Sequence, residues 1–160
     1  MLDEFHLDVT ADDLYVGRQL SAEGVRVWPE MLEMAIAHHD SQWLGNALRD
    51  PRYWLSHYMQ DRATGPVQAS VPVNAPDRLA EGEFGRFYIR GVCREAIATG
   101  QRVVVTRMRP SSQPRLKSEA LIGSNVDAET LLLDLRGNKG TDTYSGIPGG
   151  PNSGLGVMLS

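Results

Sequence analysis

The pattern of apolar and polar positions is clearest between residues 74 and 109. A helical pattern begins after Asn74, which can cap a helix, and runs to Thr99, where Gly100 ends it. The apolar positions fall on two opposite sides of this helix and leave only a narrow charged stripe between them. Such a pattern predicts a helix that is buried on both sides and central to the fold. Residues 101–109, which follow directly, are the best strand candidate in the chain.

Shorter patterns on either side predict an α+β fold around this central helix. Residues 1–10 alternate like an extended arm, and residues 25–28 resemble a short strand. Together with the strand at 101–109, the predicted strands form a short, mostly antiparallel sheet. The other predicted elements are a short helix at 10–20, two helices at 29–39 and 41–48 that form an N-terminal helical hairpin, an aromatic segment at 51–61 that fits helix or strand, an edge strand at 67–71, a helix that is capped by Asp127 or Ser124 and ends at Gly137, and a terminal strand at 155–159.

The length of the chain, 160 residues, allows a hydrophobic core without disulfides or metals. We expect a single globular α+β domain over residues 1–137 and a Gly/Pro-rich C-terminal tail at 138–160 that ends in a short strand. No apolar run approaches the ~20 residues that cross a bilayer, and the acidic first residues do not resemble a signal peptide. These features predict a protein that stays inside the cell that makes it and has no membrane partner.

Charge is segregated along the chain although the net value is only −4. Residues 1–77 carry −7, residues 78–117 carry +6 and the remainder carries −3, and 14 of the 16 basic residues are arginine. Like charges four residues apart on a helix repel unless they are answered by opposite charges. The basic segment therefore either pairs with the acidic flanks of its own domain, or meets an acidic neighbouring subunit or a nucleic-acid backbone. The arginines of this candidate partner-binding face are Arg86, Arg90, Arg94, Arg102, Arg107 and Arg109.

The apolar C-terminal end adds a second candidate interaction segment. Leu155, Val157 and Leu159 alternate with other residues as in a strand. This strand can dock on the sheet of its own chain, or on that of a neighbour by strand addition. In the second case, deletion of residues 152–160 is expected to weaken assembly and leave the fold intact.

Few residues suggest catalytic chemistry. His38, His39 and Asp40 contain the His-Asp pair of metal phosphohydrolases, but two histidines at the C-terminal end of a helix also suit the helix dipole. The single cysteine, Cys93, lies in the central helix and is expected to be a core residue. Three glycines in the predicted central helix, Gly82, Gly85 and Gly91, suggest close packing by another element rather than a phosphate loop. We predict no catalytic residue, metal or cofactor.

Two segments carry a resemblance to known sequences. Residues 79–91, LAEGEFGRFYIRG, together with residues 150–155, GPNSGL, are similar to short uncharacterised proteins encoded in phages and prophages. This resemblance includes no motif with a known reaction. It implies a virion component of the shell or connector.

Three functional hypotheses follow from these patterns. The first is a non-enzymatic structural protein that packs into a larger assembly, in the virion if the protein is phage-encoded, with neighbouring copies of itself or other assembly proteins as partners. The second is a nucleic-acid-binding protein that uses the arginine face, with aromatic residues as stacking groups. The third is a metal-dependent phosphohydrolase around His39 and Asp40.

Overall fold

The computed structural model describes residues 1–110, 116–140, 143–148 and 154–160. The fold in these ranges is α+β, as predicted, and both of its sheets are antiparallel. The helices are α1 (Leu2–Thr10), α2 (Ala22–His38), α3 (Ser41–Ala47), α4 (Ala75–Thr99), α5 (Leu116–Leu121) and α6 (Ala128–Gly137). The strands are β1 (His57–Arg62), β2 (Gly65–Ser70), β3 (Val103–Arg107), β4 (Asn125–Val126) and β5 (Leu155–Leu159), and a 3-10 helix spans Pro51–Tyr53.

The chain divides into two compact units. The terminal unit consists of Met1–Leu7 and Gly85–Ser160, and the middle unit consists of Asp8–Phe84. Helices α1 and α4 each contribute residues to both units. Within the segment predicted as a tail, residues 141–142 and 149–153 lie outside the described residues, and residues 155–159 form β5. No helix in the described ranges has the length and hydropathy needed to span a bilayer.

Helix α4 confirms the strongest sequence prediction. It begins at Ala75, runs for 25 residues and ends before Gly100, whose φ of +70° is in the left-handed region that glycine adopts at low cost. Buried side chains occur along its whole length, from Ala80 to Ala96. The interpretation of its glycines is right only in part. A Cβ on Gly91 would stand 2.9 Å from the nitrogen of Met1, whereas Cβ atoms on Gly82 and Gly85 would meet no described atom within 4 Å.

The N-terminal arm is helical, and its predicted extended conformation is wrong. Glu4 and Phe5 are both buried although they are adjacent, which an alternating strand with one solvated face does not allow. Leu7 and Val9, which suggested the alternation, are 50% and 44% exposed. Asp3 and Glu4 lie in the first turn of α1, where negative charge favours a helix.

The predicted strand at 25–28 is also wrong, because these residues belong to α2. The hydroxyl of Ser21 caps this helix by accepting a hydrogen bond from Gly24 N (3.2 Å), and Pro29 lies inside the helix instead of starting it. A proline inside a helix removes one backbone hydrogen bond. Complete burial of Trp28 and Leu32 on one face of α2 offsets this loss.

The short helix predicted at 10–20 is absent, and this segment instead contains turns and irregular chain. Leu55 N donates to Gln19 O (2.9 Å), and Leu20 forms an isolated antiparallel bridge with Trp54. The backbone groups at the end of this segment therefore pair across the chain and are not available to a helix.

The predicted helical hairpin is present as α2 and α3. Asp40 caps α3 through a hydrogen bond from Trp43 N to Oδ1 (2.8 Å), and Leu44 and Leu48 are fully buried. In the same unit, β1 and β2 form an antiparallel two-stranded sheet in which His57 pairs with Ser70 and Arg62 with Gly65. The ambiguous segment 51–61 thus divides into a 3-10 helix and most of β1.

The core of the terminal unit lies between its sheet and its helices. Strand β3 is central in the order β4-β3-β5, and Val105 pairs with Val157 of β5. Helix α6 begins after Asp127, which accepts a hydrogen bond from Thr130 N (2.8 Å), so the predicted helix is confirmed with Asp127 as its cap. The buried residues of this core are Ile89, Cys93, Ala96, Val103, Val105, Leu131, Leu132, Leu135, Ile147, Leu155 and Val157.

Candidate functional site

The six arginines of the predicted face have different exposures within the terminal unit: one is buried, two are half-buried and three are exposed. Arg90 is buried, and its Nε donates to Oε2 of Glu4 at 2.8 Å. A second donor of the same guanidinium, Nη2, reaches the backbone oxygen of Glu4 at 3.3 Å. A buried charge is tolerated only when it is both paired with an opposite charge and hydrogen-bonded, and Glu4 provides both for Arg90.

Glu4 is a hub for two further arginines. Arg136 of α6 donates through Nη2 to Oε1 at 2.6 Å and through Nε to Oε2 at 3.0 Å, in bidentate geometry. Arg94 donates through Nη1 to Oε1 at 3.2 Å, and its Nη2 pairs with Oδ2 of Asp3 at 3.3 Å. We call Glu4, Arg90, Arg94 and Arg136 the Glu4 cluster. It joins α1, α4 and α6 inside one unit.

The arginines of the cluster determine the protonation state of Glu4. Burial alone raises the pKa of a carboxyl group, because it disfavours the charged form. In Glu4, hydrogen bonds from Arg136 and Arg90, together with their charges, outweigh burial and lower the pKa to about 2. The carboxylate is therefore ionised at neutral pH with both oxygens engaged, which suits a structural anchor and not a catalytic base.

The other predicted arginines have mixed surroundings. Arg86 Nη1 donates to the backbone oxygen of Asn138 at 2.7 Å, and Arg107 forms an ion pair with Glu119. Arg102 and Arg109 are exposed. The face predicted from sequence is thus not one continuous basic surface, since its members range from buried to exposed.

The terminal strand docks on the sheet of its own chain. Leu155 and Val157 are buried in the core of the terminal unit, and Leu159 packs against that core. The pairing of β5 with β3 extends over five residues and continues beyond it, where Ser160 N donates to Arg102 O at 3.0 Å. The sequence allowed this strand to dock on the sheet of its own chain or on that of a neighbour, and in the structure it docks on its own chain.

The His-Asp motif has local structural roles in the middle unit. The ring of His39 stacks on Trp43 with centroids 4.3 Å apart and planes at 7°, and Asp40 caps α3. These residues line an open groove of about 560 Å³ together with His38, Gln42 and Asn46. In the described ranges, no three His, Cys, Asp or Glu residues are placed to hold a metal ion.

Cys93 is a core residue. It is fully buried, and burial, with smaller effects of the Glu4 and Asp127 charges, raises the pKa of its thiol to about 12. The thiolate, which is the reactive form of cysteine, is therefore scarce at neutral pH.

The β1–β2 hairpin is a surface feature that the sequence only partly indicated. None of residues 57–70 is buried, and Met59 is 54% exposed on the outward face. The opposite face of the hairpin, which includes the side chains of Tyr58 and Val67, is only half-buried. The edge strand predicted at 67–71 corresponds to β2. Strand β1 was not predicted as a strand with certainty, because the aromatic residues of segment 51–61 fit a helical face equally well.

Comparisons with protein-family models, with curated proteins and with solved structures give no match for this chain.

Proposed function

We propose that the protein is a non-enzymatic structural protein that packs against neighbouring copies of itself in a larger assembly. The observation that carries this proposal is the β1–β2 hairpin, a six-pair ladder without a single buried residue. A two-stranded hairpin is at best marginally stable in water unless one of its faces is covered. A neighbour that covers the exposed face or extends the ladder would supply the missing contacts.

Sequence context supports a particular kind of assembly. The resemblance of residues 79–91 and 150–155 to phage- and prophage-encoded proteins favours the virion of a phage, with the chain as a capsid-associated or connector component. Other virion proteins are then further partners besides identical copies.

The environment of the arginines gives less support to an interface made by charge, with either a protein or a nucleic acid. Arg90 is buried in the Glu4 cluster, and Arg107 pairs with Glu119. We therefore assign the interface to the hairpin. Contacts made by backbone and apolar groups weaken little with salt, whereas exposed ion pairs are screened.

Light scattering on a sizing column, at low and at high salt, tests this proposal. We expect the purified chain to form a defined oligomer or larger assembly whose mass is the same at both salt concentrations. If high salt dissociates the assembly, the interface is made by exposed charged side chains and not by the hairpin. A monomer at both salt concentrations, up to the highest protein concentration reached, would contradict self-assembly.

A further inference from the structure

The backbone of the hairpin shows which edge is open. Val71 N donates to Ser56 O at 3.1 Å, one pair beyond the β1–β2 ladder. Hydrogen-bonded and non-hydrogen-bonded pairs alternate in an antiparallel ladder. Residues 58, 60 and 62 therefore bond to β2, whereas His57, Met59 and Asp61 direct their N–H and C=O groups away from it. No hydrogen bond within the described part of the chain uses these three N–H groups.

The two edges of the hairpin differ in their capacity to pair. The outward positions of β2 are residues 66, 68 and 70, and the first of them is Pro66, which has no N–H. A proline on an edge strand is one of the devices that block further pairing. The outward edge of β1 contains no proline and offers three donor and acceptor positions, at His57, Met59 and Asp61. The same edge is already paired just before β1, where Leu55 N donates to Gln19 O, so the open part of the edge begins at His57.

We propose that the outward edge of β1 is a homodimer interface, in which β1 of a second copy adds antiparallel around a two-fold axis at Met59. This inference rests on the proposed function and specifies its interface. The result is a four-stranded sheet in the order β2-β1-β1-β2. Met59 N–H of each copy donates to Met59 O of the other, so the axis lies within one hydrogen-bonded pair.

The side chains of β1 favour this register over its neighbours. Residues directly opposite each other project from the same face of a sheet, so the exposed positions 57, 59 and 61 must oppose exposed positions of the second copy. With the axis at Met59, His57 lies opposite Asp61 of the second copy, and the pair occurs twice. With the axis at Gln60, Asp61 would lie opposite an apolar Met59. In the structure Asp61 pairs with Arg18 at 3.1 Å, but both side chains are largely exposed, and such a pair is weak.

Proline substitution on the two edges provides a matched test. Met59→Pro removes only the outward N–H of β1, and Gln68→Pro does the same on β2 directly opposite. We expect Met59→Pro to raise the dissociation constant of the dimer at least about tenfold, since two hydrogen bonds are lost across the axis. Gln68→Pro should leave the dissociation constant unchanged. Circular dichroism of the monomer shows whether each variant folds.

A cysteine pair tests the register without a proline. In Met59→Cys the two new thiols lie in a hydrogen-bonded antiparallel pair, whose Cβ atoms are about 5 Å apart, slightly further than an unstrained disulfide spans. We therefore expect this variant to form a covalent dimer with a short thiol-specific bifunctional reagent. Gln68→Cys, one strand further from the axis, should remain uncrosslinked, and the native Cys93 is buried in both variants.

The outcomes separate this interface from the proposed function. A wild-type oligomer that persists in Met59→Pro, together with a Met59→Cys variant that does not crosslink, would overturn the β1 interface and leave assembly through another surface. A wild-type chain that is monomeric at every concentration would overturn both proposals. If Met59→Pro does not fold, crosslinking of Met59→Cys against Gln68→Cys decides alone.

Discussion

Glu4 is the residue on which the terminal unit depends most. Glu4→Gln removes the carboxylate that forms an ion pair with Arg90, whose side chain is only 3% exposed. We expect the free energy of unfolding to fall by about 3 to 5 kcal/mol, the typical result of breaking a buried pair. Asp3→Asn is the matched control, because Asp3 is 75% exposed and its pair with Arg94 should contribute under about 1 kcal/mol. Urea unfolding of the three proteins at neutral pH measures both effects.

The same carboxylate makes stability depend on pH in a defined window. Its pKa is about 2 in the folded chain against an ordinary value of 4.5, so the folded state favours the ionised form. The resulting stability is fully present above about pH 5 and is lost as the pH falls from there towards 2. The difference in unfolding free energy between the wild type and Glu4→Gln should therefore narrow below about pH 5. A difference that stays constant down to pH 3 would show that Glu4 does not titrate as its contacts require.

At the scale of elements, the sequence predicted best where a pattern was long or was closed by a clear stop signal. Helices α4 and α6 have both, with Gly100 after one and Gly137 at the end of the other. The predictions failed where short windows allowed two periods. Residues 1–10 alternate for only a few positions, and residues 25–28 contain two valines and a tryptophan although Ser21 caps a helix before them. Tertiary burial of Phe5 and Trp28 decided both cases.

Strand β5 is a core element, which changes what truncation is expected to do. Removal of residues 152–160 takes away the buried Leu155 and Val157, so we now expect loss of stability, not only of assembly. Val157→Ala should lower the unfolding free energy by about 2 kcal/mol. Met158→Ala, at the next and half-exposed position, should change it by under about 0.5 kcal/mol. Equal effects of the two substitutions, measured by denaturant unfolding, would place β5 outside the core.

At the scale of the whole molecule, the charge pattern indicated that the basic segment needs partners but not which ones. Pairing with the acidic flanks was one of the stated alternatives, and Glu4 with Arg90 and Arg94 is an instance of it. No spacing rule connects two residues 86 positions apart, so Glu4 itself could not be found from the sequence. The hairpin was hidden for another reason. Its β1 strand contains no β-branched residue, and the exposure of this strand depends on the rest of the fold, so it could not be predicted from the residues of the strand.

The ion pairs that the arginines make within the chain also predict how strongly the chain binds nucleic acid. Binding to a phosphate backbone requires exposed basic groups and weakens steeply with salt in proportion to the phosphates contacted. Because Arg90 is buried and Arg107 is paired, we expect a labelled single-stranded oligonucleotide to bind weakly at low salt and not detectably near physiological salt. Fluorescence anisotropy measures this binding. Arg102→Ala with Arg109→Ala, which alters exposed residues, should abolish what binding there is.

Arg90→Ala distinguishes a surface role from a structural one. If the arginines act as a nucleic-acid surface, this variant loses affinity and keeps its stability. The geometry of the Glu4 cluster predicts the reverse: Arg90→Ala leaves Glu4 without its most buried partner, so the unfolding free energy should fall by several kcal/mol while oligonucleotide affinity stays the same. Tight binding at physiological salt that Arg90→Ala removes from a still stable chain would contradict the structural role of the cluster and favour nucleic acid as the partner.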